Sequence, residues 1–333
     1  MTSLTEANDD LVVQIEAAGE ELSQVRQAAS SVIFGQENVI ELALITVLAG
    51  GHALLIGVPG LAKTLLVETL GTVLGLDERR IQFTPDLMPS DILGSEVLEE
   101  SESGKRQFRF IKGPVFAQLL MADEINRASP KTQSALLQAM QEHHVTIAGE
   151  RHDLPAPFHV LATQNPLEQE GTYPLPEAQL DRFLLQIDVD YPDESSERRM
   201  LLETTGPGTN RAKPVWSAEN LMKTQELVRQ IPVGESVVEA ILQLVRSARP
   251  SNKEANSGLG EMISWGPGPR ASQALMMGAR AKALMDGRLS PSVDDVIMLA
   301  EPVLKHRMAL SFAARAEGVT LPQIIRQLTE KLD

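Results

Sequence analysis

The chain of 333 residues contains no cysteine, and this absence excludes several kinds of site. Without a thiolate there is no cysteine nucleophile, no disulfide framework and no zinc or iron–sulfur site held by cysteine. A chain of this length buries roughly 75% of the surface that its unfolded form exposes, so it needs no such covalent support. The composition suits a reducing compartment, and we expect the protein in the cytoplasm.

Aromatic and basic residues are also scarce. Only 4% of the residues are aromatic, so the core must be mainly aliphatic. The 45 acidic and 30 basic side chains give a formal net charge of −15 with histidine neutral. Non-specific binding to nucleic acid depends on clustered lysine and arginine, so this balance argues against a nucleic-acid partner, although a local basic groove stays open.

Long apolar runs are absent as well. The best candidate for a membrane span, residues 42–58, is broken by Gly50, Gly51 and His52 and is shorter than the roughly 20 residues that a span needs. The N-terminal sequence MTSLTEANDD carries acids where a secretory signal would carry a basic patch and an apolar run. We therefore expect no membrane span and no export signal.

Short apolar runs that alternate with helical patterns fill the region from residue 52 to about residue 190. Such runs are typical of parallel strands that are buried on both faces of a sheet, so we predict a doubly wound α/β domain. An amphipathic helix precedes it at 11–33, where apolar residues recur at three-to-four spacing. The predicted strands are 53–56, 81–83, 119–122, 158–162 and 183–189.

Cap and turn residues predict further elements within this domain. Ser129 is a favourable N-cap and Pro130 a favourable first residue for a helix that ends near His143. Two segments are predicted as β-hairpins that lie outside the central sheet. Their strands are 95–99 and 107–111, around a turn at 101–104, and 144–148 and 151–154, around Gly149 and Glu150.

A second, smaller domain is predicted beyond a linker. Residues 204–214 read TTGPGTNRAKP, which has the glycine, proline and polar content of a linker. The patterns that follow predict an all-helical lid, with Ser292 as the N-cap of its third helix. The predicted lid helices are 237–249, 269–285, 293–305 and 321–332. The predicted division is a helical segment at 1–30, the α/β core at 31–203, the linker, and the lid at 215–333.

A glycine-containing loop connects the first predicted strand to a helical pattern. It reads GVPGLAKT at residues 57–64. Backbone N–H groups, a helix N-terminus, an ammonium and a hydroxyl suit the negative charges of a nucleoside triphosphate. Lys63 would reach the β- and γ-phosphates, and Thr64 would bind Mg²⁺. Ala62 stands where the strict pattern has glycine, so the match is a relaxed one.

Two adjacent carboxylates, Asp123 and Glu124, follow the predicted strand at 119–122. Because ligands of doubly wound sheets bind at the carboxyl ends of the strands, this pair should face the same crevice as the loop. Asp123 can hold Mg²⁺ through its water shell, and Glu124 can polarise a water molecule toward the γ-phosphate. A second carboxylate beside the metal-binding one favours hydrolysis.

Together with the segments around them, these motifs resemble the MoxR family of AAA+ ATPases, within the helix-2-insert clade. The resemblance extends from about residue 31 to residue 284, and alanine at position 62 is the usual residue of this family. It implies a P-loop AAA+ core with a helical lid. The segments that carry it are FGQE at 34–37, GVPGLAKT at 57–64, FTPDLMPSD at 83–91, KGPVFAQLLMADEINRASPKTQSALLQAMQE at 112–142, ATQNP at 162–166, LPEAQLDRF at 175–183 and WGPGPRA at 265–271.

The resemblance implies roles for further residues. Asn165 is similar in position to sensor 1, Arg182 to an arginine finger that enters a neighbouring subunit, and Arg270 to sensor 2, which reaches the γ-phosphate. Phosphoryl transfer builds negative charge on the phosphate oxygens. A guanidinium can stabilise that charge because its N–H donors form a fixed fork. The implied catalytic residues are Lys63, Glu124, Asn165, Arg182 and Arg270. The implied nucleotide-binding residues are Gly57, Val58, Pro59, Gly60, Leu61, Ala62, Lys63, Thr64, Leu65 and Asp123, with Ile33, Phe34, Gly35 and Gln36 near the adenine. The implied Mg²⁺ ligands are Thr64 and Asp123.

The implied function is Mg²⁺-dependent ATP hydrolysis by a homo-oligomeric ring, a hexamer, that remodels or activates other proteins. The resemblance also implies maturation of metalloenzymes or complexes with a separate partner that contains a von Willebrand factor A domain. Three alternatives stay open: a nucleic-acid motor, a slow nucleotide-gated switch and a small-molecule kinase. The acidic balance argues against a nucleic-acid motor. The presence of Glu124, Asn165 and Arg182 argues against a slow switch. The lack of an identifiable acceptor pocket argues against a kinase.

Other conspicuous residues are predicted to have no functional role. The pairs Arg79–Arg80 and Arg198–Arg199 are flanked by acids, so we assign both to the surface. Met276 is predicted to pack inside the lid with its neighbour Met277.

Overall fold

A five-stranded parallel sheet lies at the centre of the computed structural model, which describes residues 2–100, 106–168, 170–205, 212–250 and 259–332. Its strand order is β2-β5-β8-β1-β9, which confirms the predicted doubly wound sheet. The strands are β1 (Ala53–Ile56), β2 (Glu78–Gln82), β3 (Gly94–Glu100), β4 (Arg106–Lys112), β5 (Leu119–Asp123), β6 (His144–Ile147), β7 (Glu150–Asp153), β8 (His159–Gln164), β9 (Leu185–Asp188), β10 (Ile263–Trp265) and β11 (Ala309–Leu310).

Helices cover both faces of this sheet. The predicted cap of the fifth helix is confirmed, because the Ser129 hydroxyl accepts a hydrogen bond from the Thr132 N–H and Pro130 is the first helical residue. Within the described residues, no helix is long and apolar enough to cross a bilayer. The helices are α1 (Thr2–Ser30), α2 (Glu37–Leu48), α3 (Lys63–Leu74), α4 (Pro89–Leu93), α5 (Pro130–Glu142), α6 (Glu177–Leu180), α7 (Glu194–Thr204), α8 (Ala218–Gln230), α9 (Glu235–Ser247), α10 (Leu259–Met262), α11 (Pro269–Met285), α12 (Val293–Leu304), α13 (Phe312–Ala316) and α14 (Leu321–Thr329).

The core forms two layers, one on each face of the sheet. On β5, Leu120 packs into one layer and its neighbour Met121 into the other. One layer joins the sheet to α1, α2, α3 and the lid helices, and the other joins it to α4, α5 and the second hairpin. Strands β1 and β5 are buried on both sides and are almost entirely apolar, as expected for central parallel strands, whereas the edge strand β2 is mostly exposed and polar.

Both predicted hairpins are present as antiparallel pairs, β3 with β4 and β6 with β7. The predicted turn at 101–104 lies outside the described residues. The second turn lies one residue earlier than predicted, because Ala148 and Gly149 have φ values of 49° and 90°. Two successive positive φ values are typical of a two-residue hairpin turn. The hairpins contact each other where the rings of Phe110 and His152 stack at 4.1 Å.

The lid is helical, as predicted, but it is not all-helical. Strands β10 and β11 pair as a small antiparallel ribbon, which the sequence prediction misses because strands of two or three residues carry no periodic pattern. Helix α11 has the predicted bounds, and Ser292 forms the predicted cap of α12 in a capping box with Asp295. Most of the predicted linker, 206–211, lies outside the described residues, so the domain division stays a prediction.

Candidate nucleotide-binding site

The loop at 57–62 connects β1 to the N-terminus of α3, where Lys63 is the first helical residue. Gly57 passes so close to β9 that a Cβ there would lie 2.6 Å from the Val189 carbonyl oxygen. Ala62 has a φ of 56°, in the left-handed region that favours glycine. The strict motif has glycine at this position for that conformational reason, and this chain tolerates alanine there.

Lys63 bends back over its own loop. Its ammonium donates hydrogen bonds to the carbonyl oxygens of Gly57 and of Val58, the latter at 3.0 Å. Burial lowers the pKa of Lys63, and the nearby charges of Asp123 and Glu124 oppose that shift. The ammonium therefore lies in the field of the carboxylate pair, as the two motifs predict.

The carboxylate pair ends β5, next to the end of β8. The Thr163 hydroxyl donates to Asp123 Oδ1 at 2.6 Å and accepts from the Glu124 N–H at 2.8 Å. Glu124 itself has a left-handed φ of 54°. Thr163 thus fixes both acidic residues through one buried hydroxyl. The sequence analysis misses this role, although the residue lies in the ATQNP segment.

Cationic and amide groups hold the second oxygen of Asp123 and one oxygen of Glu124. Arg80 Nη2 lies 2.6 Å from Asp123 Oδ2. Glu124 Oε2 accepts from Gln82 Nε2 at 2.7 Å and from Arg127 Nη1 at 3.0 Å. The hydrogen bond from Arg127 to Glu124 also raises the pKa of that arginine. Arg80 is exposed, as the sequence analysis predicts, but it also contacts the acidic pair, which that analysis does not predict.

The loop, the carboxylate pair, Thr163 and Arg80 line one cavity of about 490 Å³ at the carboxyl ends of β1, β5 and β8. Asn165, which is 5% exposed, completes the wall, and its side-chain oxygen accepts from the Leu167 N–H at 3.1 Å. Its amide NH₂ is thereby left as a donor. The lining residues are Pro59, Gly60, Leu61, Ala62, Lys63, Thr64, Leu65, Arg80, Asp123, Glu124, Thr163 and Asn165.

A second cavity, of about 310 Å³, adjoins the loop on the β9 side and is lined by Gly57, Val58 and Tyr191 among others. The segment predicted near the adenine supports this cavity from behind. Gln36 Nε2 donates to the Asp190 carbonyl oxygen at 2.7 Å, and Asp190 is one of the lining residues.

None of the residues 33–36 lines either of these two cavities. Ile33 is 2% exposed within the core, and a Cβ on Gly35, whose φ is +70°, would collide with Ser196. The Phe34 ring lies 4.7 Å below the guanidinium carbon of Arg199, so one member of the second arginine pair has a specific contact.

The two remaining predicted arginines lie elsewhere. Arg182 and Arg270 line a third cavity of about 270 Å³, together with Gly51, His52 and Leu184 among others. These three residues directly precede β1 and β9, so the cavity lies at the amino ends of the strands. Within one chain, the structure does not bring either arginine to the phosphate loop.

A parallel sheet with a phosphate loop, an acidic pair and a polar residue at the carboxyl ends of adjacent strands defines a P-loop nucleotide-binding protein with a lid. Residues 52–185 match the family described as "ATPase family associated with various cellular activities (AAA)", and residues 259–328 match the AAA lid domain. The chain belongs to the MoxR family of AAA+ ATPases.

Comparisons with individual proteins support this membership. The chain is 42% identical over 294 residues to Chaperone MoxR1 of Mycobacterium tuberculosis, which covers 88% of this chain and 77% of the relative. It is 31% identical over 303 residues to Protein MoxR of Paracoccus denitrificans, with 85% and 87% of the two chains covered. A crystal structure of a candidate ATPase from Cytophaga hutchinsonii is similar with a TM-score of 0.89 and 37% identity, over 100% of this chain and 99% of that one.

Proposed function

We propose that this protein binds ATP with Mg²⁺ and hydrolyses it as a homo-oligomeric ring, a hexamer, whose nucleotide cycle remodels or activates partner proteins. The observation that carries the proposal is the convergence of the phosphate loop, Asp123, Glu124 and Asn165 on one cavity. Membership of an ATPase family supports the choice of a nucleotide as the ligand.

The donors around this cavity suit a magnesium nucleotide. The N-terminus of α3 and the Lys63 ammonium offer positive charge to the phosphates. Thr64 and Asp123 offer the oxygen ligands that Mg²⁺ prefers, and they would hold the metal. When bound, the metal neutralises charge on the phosphate oxygens. The adjoining cavity beside Gly57 and Val58 is the place we propose for the base.

Glu124 and Asn165 are the residues that would orient the attacking water. The Glu124 carboxylate accepts from Gln82 and Arg127 through the same oxygen, so its other oxygen is available to accept a hydrogen bond from water. The free NH₂ group of Asn165 can donate to that water or to a phosphate oxygen. Two groups that fix the water from different strands supply the orientation that hydrolysis needs.

We propose that Arg182 and Arg270 act together on the nucleotide of a neighbouring subunit. Both line the cavity at the amino ends of the strands and neither lines the nucleotide cavity of its own chain. A strand rises about 3.3 Å per residue, so the four residues of β1 alone place its amino and carboxyl ends about 13 Å apart. We therefore propose for Arg270 the same trans role that the resemblance implies for Arg182.

Protein remodelling is the output that the relatives support best, since one of them is named a chaperone. We propose a separate partner with a von Willebrand factor A domain, a role in the maturation of metalloenzymes or complexes, and a cytoplasmic location. In the first hairpin, Arg109 lies 3.1 Å from Glu99 and Arg106 lies 3.5 Å from Glu100. These pairs reduce the positive charge that the described part of the hairpin presents to DNA.

Glu124→Gln tests the proposal most simply. We expect this variant to bind a fluorescent ATP analogue with near wild-type affinity and to release phosphate at least about 100-fold more slowly, because the amide cannot accept a proton from water. Lys63→Ala should lose nucleotide affinity instead. Glu68→Gln, on the exposed face of α3, is the charge-matched control and should change neither quantity. Wild-type phosphate release in Glu124→Gln would remove that residue from catalysis.

A further inference from the structure

A buried arginine of the lid, Arg307, holds the chain segment that carries Arg182. It is 2% exposed and lies in the short 3-10 helix Lys305–Arg307, directly after α12. Its Nε donates to Asp181 Oδ1 at 2.7 Å, and its Nη2 donates to the Phe183 carbonyl oxygen at 2.6 Å. The lid thus binds the residues on both sides of Arg182.

The same carboxylate faces the second arginine of this region. Arg270 Nη1 lies 3.8 Å from Asp181 Oδ2, while Asp181 Oδ1 accepts from Arg307. Arg182 is the next residue in the chain, and all four side chains line one cavity. Asp181 therefore links the buried arginine to both arginines that we propose to act on the neighbouring nucleotide.

The two acting arginines come from different domains. Arg182 follows α6 of the core, whereas Arg270 is the second residue of α11 in the lid. Their separation is therefore set by how the lid sits on the core, and Arg307 joins the lid to the core beside both of them. Remaining bonds from Arg307 Nη1 to the carbonyl oxygens of Val303 and Leu184 fix the guanidinium on both sides of this boundary.

We infer that Arg307, acting through Asp181, is a positioning residue that sets the spacing of Arg182 and Arg270 for the nucleotide of the next subunit. The inference rests on the proposed function. Arg307 does not line the nucleotide cavity of its own chain, so its role concerns only the sites that its chain completes in a neighbour.

Lysine at position 307 would keep the charge but lose the planar fork that reaches several acceptors at once. Misplacement of a catalytic group by about 1 Å can cost about 100-fold in rate. We therefore expect Arg307→Lys to lower the ATPase rate by roughly 10- to 100-fold and to leave the affinity for a fluorescent ATP analogue within about three-fold of wild type.

A mixing experiment separates positioning from a structural defect. Glu124→Gln subunits cannot hydrolyse ATP but carry an intact Arg182 and Arg270, whereas Arg307→Lys subunits carry an intact hydrolytic site. When the two are mixed and allowed to exchange subunits, some interfaces combine the intact halves. We expect an ATPase rate well above the sum of the two separate rates, and the same recovery with Arg182→Ala in place of Arg307→Lys.

The outcomes distinguish this inference from the proposed function. Recovery with Arg182→Ala but none with Arg307→Lys would overturn the positioning role, because the defect would then lie in the variant's own site. No recovery with Arg182→Ala would overturn the trans mechanism itself, and with it this inference.

Two further variants protect the result. Asp181→Asn keeps the shape of the linking side chain but removes its charge, so it should show the same loss and the same recovery even if Arg307→Lys folds poorly. Arg288→Lys is the matched control. Arg288 pairs with Asp295 at 2.6 Å entirely within the lid, and its substitution should leave the ATPase rate unchanged. Circular dichroism melting curves show which variants are folded.

Discussion

At the scale of single residues, the acidic pair of the nucleotide cavity depends on groups that lie far from it in sequence. Thr163 and Arg80 contact Asp123 across 40 and 43 residues. Two adjacent acidic residues after an apolar strand form a local pattern, so the sequence alone indicates the carboxylate pair. Their partners are set by the strand order β2-β5-β8, which no local pattern encodes. The sequence therefore places Arg80 correctly on the surface but does not predict its contact with Asp123.

Thr163→Val should separate the role of this hydroxyl from simple packing. The substitution keeps the shape of the side chain but leaves Asp123 Oδ1 and the Glu124 N–H without their shared partner. We expect the free energy of unfolding to fall by about 1–3 kcal/mol and the ATPase rate to fall clearly. Thr163→Ser keeps the hydroxyl and should retain most of both. Equal behaviour of the two variants in urea unfolding and phosphate release would contradict this account.

Buried histidines should make the protein sensitive to mild acid. Burial lowers the pKa of His52 to about 3 and that of His159 to about 4, against about 6.5 in an unfolded chain. The unfolded chain therefore binds more protons below pH 6.5, so the stability is full above that pH and falls as the pH approaches the folded pKa values. At pH 5 each of these histidines should lower the free energy of unfolding by about 2 kcal/mol relative to its value above pH 6.5.

Urea unfolding at pH 7.5 and pH 5 measures this loss. The double variant His52→Gln/His159→Gln should lose less stability between the two pH values than wild type. His144→Gln, at a partly exposed position, serves as the control and should follow wild type. A double variant with the full wild-type loss would show that other groups control the acid sensitivity.

At the scale of elements, helix α1 joins the lid to the core. Ile15, Leu22 and Val25 lie in the same core layer as the lid helices, and Glu21 accepts a hydrogen bond from the Trp216 indole at 3.0 Å. The three-to-four spacing of apolar residues predicts this helix, and its buried face follows that spacing. The lid helices α11 and α12 are predicted well for the same reason, whereas the short ribbon of β10 and β11 is not.

Gly19 lies where α1 packs tightly against the C-terminal end of α11 and the turn that follows it. A Cβ there would lie 2.8 Å from Gly287 Cα and 3.3 Å from the Leu284 carbonyl oxygen, which are backbone atoms that no rotamer change can move. Alanine in mid-helix normally gains about 0.5–1 kcal/mol over glycine, but we expect Gly19→Ala to lose about 1–3 kcal/mol. Thermal unfolding of Gly19→Ala beside the exposed control Glu20→Ala tests this, and a raised melting temperature for Gly19→Ala would contradict it.

At the scale of the whole molecule, the two halves of the proposed active site lie at opposite ends of the strands of one sheet. The loop, Asp123 and Glu124 lie at the carboxyl ends of the strands, and Arg182 and Arg270 at the amino ends. The motifs predict both halves, but only the folded chain places them on separate cavities. Because the two cavities of one subunit are separate, the proposed mechanism requires that hydrolysis depend on assembly.

The most direct test is the specific ATPase rate as a function of protein concentration, with the molecular mass measured in parallel by light scattering, for wild type and Arg182→Ala. We predict that the wild-type rate per subunit rises as a larger species forms, and that Arg182→Ala assembles and binds nucleotide but stays inactive. A constant rate per subunit in a monomer, unaffected by Arg182→Ala, would contradict a shared active site and indicate a self-contained P-loop enzyme.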